Sequence, residues 1–582
     1  MAKATYFGID LGTTYSAISF INDMGQAEII DNLDGSQLTP SIVYFGDNGI
    51  IVGEKARERG RDGGDEAQRV VDFVKRSMPP AEKGQQEYEI DGEKYTKIWE
   101  FDGRKYTPID ISAEIIKKLK SDAVQLTQVD IQKVVVTCPS FFESIARNRT
   151  RQAAMKGLGL REEDVEILDE PTAAALNYAL VTGEDIKGKT FLVYDLGGGT
   201  FDITVLTVKG DPNDSNKTEY QVVCTFGNHY LGGGNWDDKI VEFFKAEFQN
   251  QTGIAISQNT AEDEDEFYEL EFNLRQDAEK RKQELSDANC NSCTQKIKFN
   301  GKRASIVLTR SKFDDLTLPL FEETLYLTDT AIATAKKHEN KITHFDAFLL
   351  VGGSTLMRQV PEGLVAKYAS EPALAGIVPI YHDPNKAVVK GAAKMAQLWA
   401  IQSYFPTRAT SLDGSVTHIE PTQQQLEHAS KETGLTVQQV KAAIGTTIIE
   451  VASKTYGIKS LKPRSDPNST DDRDYQIVNL IQKNKPRPAH GWDTFCPVFE
   501  GQCAMSFEIW ENDVMDDVAS LAVSYIRKQE AYGYFKFDSP MSLNDNVKVE
   551  LSLDEQGFFE LYATDMRNGK RCKVPLENVK KK

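Results

Sequence analysis

Short apolar runs alternate with amphipathic stretches over the first two thirds of the chain. The runs Lys133–Thr137 (KVVVT), Thr190–Tyr194 (TFLVY) and Ala347–Val351 (AFLLV) are continuous, which predicts strands that are covered on both faces. The segment Asn385–Trp399 instead carries apolar residues at helical spacing, with small residues that permit close packing. The alternation of such strands with helices predicts an α/β sheet.

One short motif occurs twice in this region. Gly8–Thr14 (GIDLGTT) recurs in altered form within Tyr194–Asp202 (YDLGGGTFD), and each copy combines a strand with a Gly/Thr turn. The repetition predicts two duplicated lobes, with a ligand held between the two copies.

Residues 405–447 interrupt the alternation. Two short helices are predicted there: Thr422 caps the first, Gly434 ends it and Thr436 caps the second. We expect this insertion to form a helical hairpin that packs on the preceding domain.

From residue 455 onward the chain changes to strands and turns. The segments Gln476–Ile481, Met505–Trp510 and Asn546–Ser552 alternate apolar with polar residues, which is typical of half-buried antiparallel strands and predicts a β-sandwich. The predicted divisions are the α/β domain, the insertion, a linker and the sandwich, at residues 1–404, 405–447, 448–454 and 455–582.

Composition and charge narrow the classes of partner. Acidic residues outnumber basic residues by 87 to 68, so the 582-residue chain has a net charge of −19. Such a chain repels a phosphate backbone unless basic residues cluster, which argues against general nucleic-acid binding. No apolar run approaches the ~18 residues of a membrane span. The N-terminus shows no signal-peptide pattern, and the 7 cysteines favour a reducing, cytoplasmic setting.

Cys290 and Cys293 form the single C-x-x-C of the chain. A zinc site usually needs four ligands, and no second pair of similar spacing occurs in the sequence. We interpret this pair as part of a solvent-facing turn between a helix and a strand, with a metal site as the alternative.

The repeated Gly/Thr turns carry the candidate chemistry. Backbone N–H groups in such turns form anion-binding concavities, and glycine lets the backbone approach a phosphate closely. Two facing turns would hold a β,γ-phosphate from both sides. Asp10 and Asp195 lie at the strand ends, where carboxylates suit Mg²⁺. A tight connection is the alternative for any single turn, and the repetition favours the phosphate site.

Two further glycine turns and one helix face are candidates for contact with a nucleoside. The turns are Leu231–Gly234 (LGGG) and Val351–Ser354 (VGGS). Glu279, Lys282 and Ser286 share one face of a predicted helix, where they offer hydrogen bonds to a ribose and a base edge. A solvated charged face is the alternative.

Four motifs are specific in combination: Ile9–Ser16 (IDLGTTYS), Asp169–Ala175 (DEPTAAA), Tyr194–Asp202 (YDLGGGTFD) and Leu350–Thr355 (LVGGST). With these motifs the first 400 residues closely resemble the nucleotide-binding domain of the heat-shock protein 70 family, within the actin-like ATPase superfamily. The resemblance implies an α/β actin-like fold of two lobes around a cleft, ATP or ADP with Mg²⁺ as the ligands, and ATP hydrolysis as the activity.

The resemblance also implies roles for individual residues. Asp10 and Asp195 match the aspartates around Mg²⁺ and its waters. Lys75 matches the lysine that neutralises charge on the transferring phosphoryl group, and such electrostatic positioning is the main source of catalysis in phosphoryl transfer. Glu170 and Asp202 match the carboxylates near the attacking water.

The implied catalytic residues are Lys75, Asp10, Glu170, Asp195, Thr200 and Asp202. The residues implied to bind ATP are Gly12, Thr13, Thr14, Tyr15, Gly197, Gly198, Gly199, Thr200, Gly232, Gly233, Glu279, Lys282, Ser286, Gly352, Gly353, Ser354 and Asn385. Pro139 and Glu450 are implied to couple the nucleotide state to the rest of the chain.

Four residues depart from the family pattern. Gln283 and Leu356 stand where the family often has arginines that sandwich adenine, so we expect adenine to rely on apolar contact. Asn385 stands where the family often has an aspartate. Glu166 replaces an arginine, typical of bacterial members, that receives an aspartate of a J-domain partner. Because two facing carboxylates repel, either the docking is altered or the partner compensates; a neutral surface substitution is the alternative.

The C-terminal part resembles the family more weakly. The segment Ile448–Val451 (IIEV) looks like the interdomain linker, with Glu450 at the usual aspartate. The strands that follow resemble the peptide-binding β-sandwich, but the usual cleft loops are not recognisable near Lys459–Asp474. The helical lid that normally follows the sandwich is missing from the sequence, so we expect fast peptide exchange.

The sequence thus predicts an atypical, lidless member of the family: a molecular chaperone in which ATP binding and hydrolysis gate the binding of extended or unfolded polypeptides. The implied partners are a J-domain co-chaperone and a nucleotide-exchange factor. A nucleotide-switched regulator or co-chaperone that holds one partner protein is the first alternative, and a small-molecule kinase on the same superfamily fold is the second. A helix-turn-helix reading of Leu426–Ile444 has little electrostatic support, because its lysines are balanced by glutamates.

Overall fold

The structure is a computed structural model that describes residues 6–22, 24–80, 85–182, 185–338, 341–405, 408–410, 416–418, 421–514, 516–520 and 527–577. The chain forms two compact units. Unit 1 combines the chain up to Arg76 with Glu100–Ser140 and Thr150–Ile448. Unit 2 combines Ser77–Trp99 and Phe141–Arg149 with the chain from Ile449 onward. Two segments of the predicted domain 1–404 therefore cluster with the C-terminal residues.

Unit 1 contains two six-stranded sheets, in which the first five strands of the spatial order have the same relative directions. In spatial order, the first sheet consists of Val165–Asp169, Val134–Cys138, Phe7–Asp10, Tyr15–Ile21 and Ala27–Ile29, with Thr39–Pro40 paired to Tyr15–Ile21. In the corresponding order, the second sheet consists of Ile380–Tyr381, Ala347–Val351, Thr190–Leu196, Phe201–Asp211, Asp214–Asn228 and Thr446–Ile449. In each sheet the strand with the repeated motif pairs antiparallel with the next strand and parallel with a later one.

The strands at the centre of these sheets follow the continuous apolar runs. Ala347–Val351 has the predicted bounds, Val134–Cys138 lies one residue beyond the predicted run, and Thr190–Leu196 is longer than predicted at its C-terminal end. Every residue of these three strands is buried. A strand that is covered on both faces has no polar face, which explains the absence of alternation in the sequence.

Helices and short strands make up the remaining elements. The α-helices of the described residues are Glu54–Arg61, Asp65–Gln68, Pro108–Thr127, Ser144–Leu158, Glu170–Thr182, Gly233–Thr252, Glu264–Ser286, Arg310–Lys337, Gln359–Tyr368, Ala387–Ser403, Gln423–Thr433 and Val437–Ile444. The minor strands outside the sandwich are Val43–Gly46, Gly49–Val52, Val70–Val71, Tyr88–Ile90, Glu93–Tyr95, Trp99–Phe101, Arg104–Tyr106, Ser292–Phe299, Lys302–Thr309, Arg408–Thr410 and Val416–His418. Across the described ranges, none of the helices combines the length and apolarity that a membrane crossing requires.

The helix Ala387–Ser403 packs closely on the first sheet and on the helix Glu170–Thr182. A Cβ atom at Gly391 would collide with the carbonyl oxygen of Ala173, and a Cβ at Gly8 would collide with the backbone of the same helix. Glycine at these two positions therefore sets the short distance between the helix and its neighbours.

The insertion forms the predicted helical hairpin. Thr422 caps Gln423–Thr433, Gly434 ends this helix in the left-handed region, and Thr436 caps Val437–Ile444. The second helix contacts the strand Asp214–Asn228 and the helix Ala387–Ser403 within unit 1. It leads directly into Thr446–Ile449, which pairs at the edge of the second sheet, so the start of the predicted linker is a strand of unit 1.

Unit 2 contains two antiparallel sheets that share one apolar core. The six-stranded sheet consists, in order, of Val518–Ser520, Tyr475–Ile481, Thr455–Leu461, Gln502–Asn512, Arg527–Met541 and Leu576–Glu577. The four-stranded sheet consists of Ala489–Phe495, Val547–Leu553, Phe559–Asp565 and Lys570–Val574. Inward residues of both sheets, such as Ile458, Phe507 and Leu551, form one buried cluster, as in a β-sandwich.

Two arginines of Phe141–Arg149 attach this segment within unit 2. Arg149 Nη1 donates to the carbonyl oxygen of Met78 at 2.8 Å, and its guanidinium lies over the Tyr95 ring. Arg147 Nη1 donates to the carbonyl oxygen of Gln556 at 3.4 Å. Because both arginines are almost completely buried, these contacts are an integral part of the unit.

Glu450 forms a buried ion pair with Arg487 in unit 2. Arg487 Nη2 donates to Glu450 Oε2, and the backbone N–H of Arg487 donates to the carbonyl oxygen of Glu450 at 2.7 Å. The two side chains are 1% and 5% exposed. Removal of the cationic partner of a buried carboxylate lowers the free energy of unfolding much more than removal of the partner of an exposed carboxylate.

We therefore expect Arg487→Met to lower the free energy of unfolding by about 3–5 kcal/mol. The double variant Glu450→Gln/Arg487→Met should recover most of this loss, because it removes the buried charge together with its partner. Urea denaturation followed by tryptophan fluorescence measures both values.

Arg571→Met is the matched control, because Arg571 pairs with Glu550 at 3.0 Å but is 53% exposed. It should cost less than about 1 kcal/mol. Equal losses for Arg487→Met and Arg571→Met would contradict the importance of the buried pair.

Candidate functional site

A cavity of about 510 Å³ lies within unit 1. Its volume is within the range of roughly 300–1,000 Å³ that is typical of small-molecule sites. Strand ends and turns of both sheets line it, together with the helix Glu264–Ser286. The sequence-predicted residues in the lining are Asp10, Gly12, Thr13, Thr14, Tyr15, Lys75, Glu170, Asp195, Gly197, Gly198, Thr200, Glu279, Lys282, Ser286, Gly352, Gly353, Ser354 and Asn385.

The two Gly/Thr turns approach each other closely at this cavity. A Cβ atom at Gly198 would collide with the Thr14 hydroxyl, and one at Gly199 would collide with the Thr13 side chain. Gly199 in turn lies against Gly232. The glycines therefore permit a backbone-to-backbone approach that leaves both turns at the edge of one cavity.

One lysine and three carboxylates meet at the inner end of the cavity. Lys75 lies in the short 3-10 helix Val74–Ser77, and its Nζ donates to Glu170 Oε1 at 2.5 Å. Burial, and next the charge of Glu170, raise the pKa of Asp10 to about 7. The same two causes, in the same order, raise the pKa of Asp195 well above its ordinary value. Three carboxylates stand against the single ammonium of Lys75 at this end of the cavity, so the formal charge there is negative when all three are ionised.

This donor set fits Mg²⁺. The two aspartates come from different sheets, and each lies at a strand end beside a Gly/Thr turn. Mg²⁺ binds through one or two carboxylates together with phosphates and waters. Within the described ranges, no three or more His, Cys, Asp or Glu side chains form a closed metal cage. The arrangement therefore favours a hydrated cation that is shared with a phosphate ligand.

The helix Glu264–Ser286 supplies the opposite wall. Lys282 Nζ contacts Asp237 at 2.8 Å and donates to the carbonyl oxygen of Gly233 at 2.9 Å. Ser286 Oγ donates to the carbonyl oxygen of Lys282, and Tyr15 Oη donates to Glu279 Oε1 at 3.3 Å. An ammonium has three N–H groups, so Lys282 keeps one of them for a ligand.

The expected apolar surface for a base is present in the cavity lining. Leu356 and Gln283 both line the cavity, and Met357, Pro384 and Val388 lie there as well. Leu356 is 41% exposed, so its side chain is available for contact with a flat ligand. The predicted apolar contact with adenine stays a prediction.

Several predicted residues are not part of the cavity lining. Gly199, Gly232 and Gly233 form the packed backbone behind it. Asp202 is opposite Asp195 on the neighbouring strand. Pro139 follows the strand Val134–Cys138 in unit 1. Glu450 belongs to unit 2, where it pairs with Arg487.

Two functional candidates were missed at the sequence level. Arg76 Nε donates to the carbonyl oxygen of Gly199 at 3.0 Å, and its Nη2 donates to Asn235 at 2.6 Å. Asp237 lines the cavity, and burial raises its pKa to about 6 although Lys282 lowers it. The position of Asp237, one turn into the helix Gly233–Thr252 after a Gly-rich turn, was the available signal.

The structure also describes the C-x-x-C pair and Glu166. Cys290 is partly exposed, but Cys293 is buried in the strand Ser292–Phe299, so the prediction of a solvent-facing turn is wrong for Cys293. The second half of the motif belongs to a strand that alternates exposed with buried positions, and Cys293 is at a buried one. Glu166 lies on the strand Val165–Asp169, opposite Val135.

The sheets and the cavity define a class: an α/β protein that holds a phosphate-bearing ligand between two glycine-rich turns. The family model described as Hsp70 protein matches residues 6–406. The chain belongs to the Hsp70 family, as the four motifs predicted, and the family is one of ATP-binding chaperones with ATPase activity.

The chain is similar to proteins named Chaperone protein DnaK. The relative from Thermosipho africanus is 36% identical over 406 residues, which are 68% of this chain and 60% of the relative. The relatives from Thermosipho melanesiensis and Thermotoga maritima are 35% and 34% identical over the same coverage. The chain thus spans 60% of the length of these curated relatives.

We predict that Gly198→Ala weakens the binding of ATP about 10-fold, because its methyl group overpacks the contact with Thr14. Gly210→Ala is the control, because Gly210 lies outside the cavity lining and its Cβ would meet only the flexible side chain of Lys187. Titration with a fluorescent ATP analogue measures both affinities. Equal affinities of the two variants would contradict the role of this close approach.

Proposed function

We propose that the chain is an ATP-dependent molecular chaperone that hydrolyses ATP in the cavity of unit 1. The observation that carries the proposal is the pairing of two Gly/Thr turns with Asp10, Asp195 and Lys75 around one cavity. Five strands have the same spatial order and directions in both sheets, which supports the duplicated lobes of an actin-like fold. Membership of the Hsp70 family supports the same activity.

The residues around the cavity suit hydrolysis by positioning and charge neutralisation. A water oxygen forms a bond to the γ-phosphorus while the bond from that phosphorus to the bridging oxygen of ADP breaks. Lys75 neutralises charge on the transferring group, and Glu170, whose carboxylate is held by Lys75, orients the water and takes up its proton. Asp10 and Asp195 would hold Mg²⁺, which neutralises phosphate charge when bound.

The sandwich of unit 2 is proposed to bind extended polypeptides. Within the described ranges, Ala489–Phe495 is an edge strand of the four-stranded sheet, and Trp492 on it is 57% exposed. An edge strand offers backbone hydrogen bonds to an added segment, and an exposed aromatic ring offers apolar contact. ATP binding and hydrolysis would gate this binding, with a J-domain protein and an exchange factor as partners.

One observation favours the alternative of a regulator that holds a single partner protein. The connection between Thr455–Leu461 and Tyr475–Ile481 is polar and closed on itself: Tyr475 Oη donates to the carbonyl oxygen of Ser469 at 2.7 Å, and Asp471 pairs with Arg473. A rigid polar loop suits a specific surface better than many apolar segments.

Lys75→Ala should lower the single-turnover rate of ATP hydrolysis about 100-fold, because it removes a preorganised charge at the phosphoryl group. Lys55→Ala is the control, since Lys55 is 72% exposed and outside the cavity lining. A radiolabelled single-turnover assay measures both rates. Hydrolysis by Lys75→Ala at the wild-type rate would contradict the assignment.

The same assay with unrelated extended apolar peptides separates the two functions. A chaperone should hydrolyse ATP faster with many of these peptides and bind them differently in ATP and ADP, because coupling between two sites is reciprocal. If no peptide changes the rate of hydrolysis, the assignment as an ATPase still holds, and the result favours the single-partner regulator.

A further inference from the structure

A chain of buried hydroxyl groups ends on Asp202. Ser140 Oγ donates to Asp202 Oδ1 at 2.9 Å and lies 2.6 Å from Thr225 Oγ1. Thr225 Oγ1 lies 3.0 Å from Thr204 Oγ1. The four residues are at most 2% exposed, so bulk water does not compete for these hydrogen bonds.

The direction of the hydrogen bonds follows from counting hydrogens. A hydroxyl group carries one hydrogen. Because Ser140 gives its hydrogen to Asp202, the contact between Ser140 and Thr225 requires Thr225 to donate. Thr225 then has no hydrogen left for Thr204, so Thr204 donates to Thr225 at 3.0 Å or to Ser140 at 3.4 Å. The chain Thr204 to Thr225 to Ser140 to Asp202 therefore points in one direction, and each bond polarises the next.

The position of Asp202 explains the need for such a chain. Asp202 is directly opposite Asp195 on the neighbouring antiparallel strand. Two carboxylates at this spacing repel each other, and without a fixed donor the side chain of Asp202 would turn away. A neutral hydroxyl fixes one carboxylate oxygen and leaves the total charge of the site unchanged.

We propose that Ser140 is a positioning residue for Asp202 in the hydrolysis of ATP, an inference that rests on the proposed function. Ser140 has no place in the cavity lining, so it acts through the carboxylate. Its hydrogen bond holds the Asp202 carboxylate in a fixed orientation directly opposite Asp195, which lines the cavity.

The test compares Ser140→Ala with Ser112→Ala in single-turnover hydrolysis by the full chain. Loss of a supporting hydrogen bond behind a functional group typically costs 10–100-fold, so the rate of Ser140→Ala should fall about 10-fold. The affinity for ATP should change less than about 2-fold, because Ser140 touches no ligand. Ser112 is equally buried, and its hydroxyl has no hydrogen-bond partner among the described residues, so Ser112→Ala should hydrolyse ATP at the wild-type rate.

Two further comparisons show whether Ser140 acts through Asp202. In an Asp202→Asn background, Ser140→Ala should have no further effect, because residues that act as a unit are not additive. Thr225→Val should slow hydrolysis less than Ser140→Ala does. An equal factor for Ser140→Ala in both backgrounds would overturn the proposal, as would a wild-type rate for Ser140→Ala.

If the wild-type chain does not hydrolyse ATP at all, the proposed function fails instead, so the two failures are distinguishable.

Discussion

The charges at the inner end of the cavity do not balance, and much of unit 1 depends on this imbalance. Asp10, Glu170 and Asp195 surround one ammonium group, that of Lys75. Burial of unpaired negative charge is costly, so the protein raises the pKa of the aspartates instead. A divalent cation relieves the same cost when it binds. Ligand binding and the stability of unit 1 are therefore linked through one group of side chains.

Close backbone packing is the second requirement, because charged groups from two sheets must meet across short distances. Gly198 and Gly199 allow one turn to approach Thr14 and Thr13 of the other. Arg76 and Lys282 then donate to the carbonyl oxygens of Gly199 and Gly233, which fixes the turns from outside. Cations that bind backbone carbonyl oxygens stabilise the turns and leave the carboxylates for the ligand.

The sequence pattern predicted most of the features that depend on residues close together in the chain. The buried strands follow their apolar runs within two residues, and Thr422, Gly434 and Thr436 cap or end the helices of the hairpin as expected. A cap or a buried strand is decided by residues close together in sequence, and so is a Gly/Thr turn. These features were therefore readable without knowledge of tertiary contacts.

Contacts between distant parts of the chain were not readable in the same way. Arg76 and Gly199 are far apart in sequence. The sequence around Lys75 and Arg76 does not indicate that Arg76 donates to a backbone carbonyl oxygen. The prediction for Cys293 was wrong because this residue follows the end of a helix by only a few residues, where a turn is expected. Cys293 instead occupies a buried position of the next strand. The grouping of Phe141–Arg149 with the sandwich depends on buried arginines that sequence rules assign to the surface.

The hydroxyl chain behind Asp202 follows from the charge imbalance. A lysine or arginine at Ser140 would also hold Asp202, but it would add a positive charge beside Asp195 and lower the demand of the site for Mg²⁺. Hydroxyl groups orient the carboxylate by dipoles alone, so the negative charge that attracts the cation is kept.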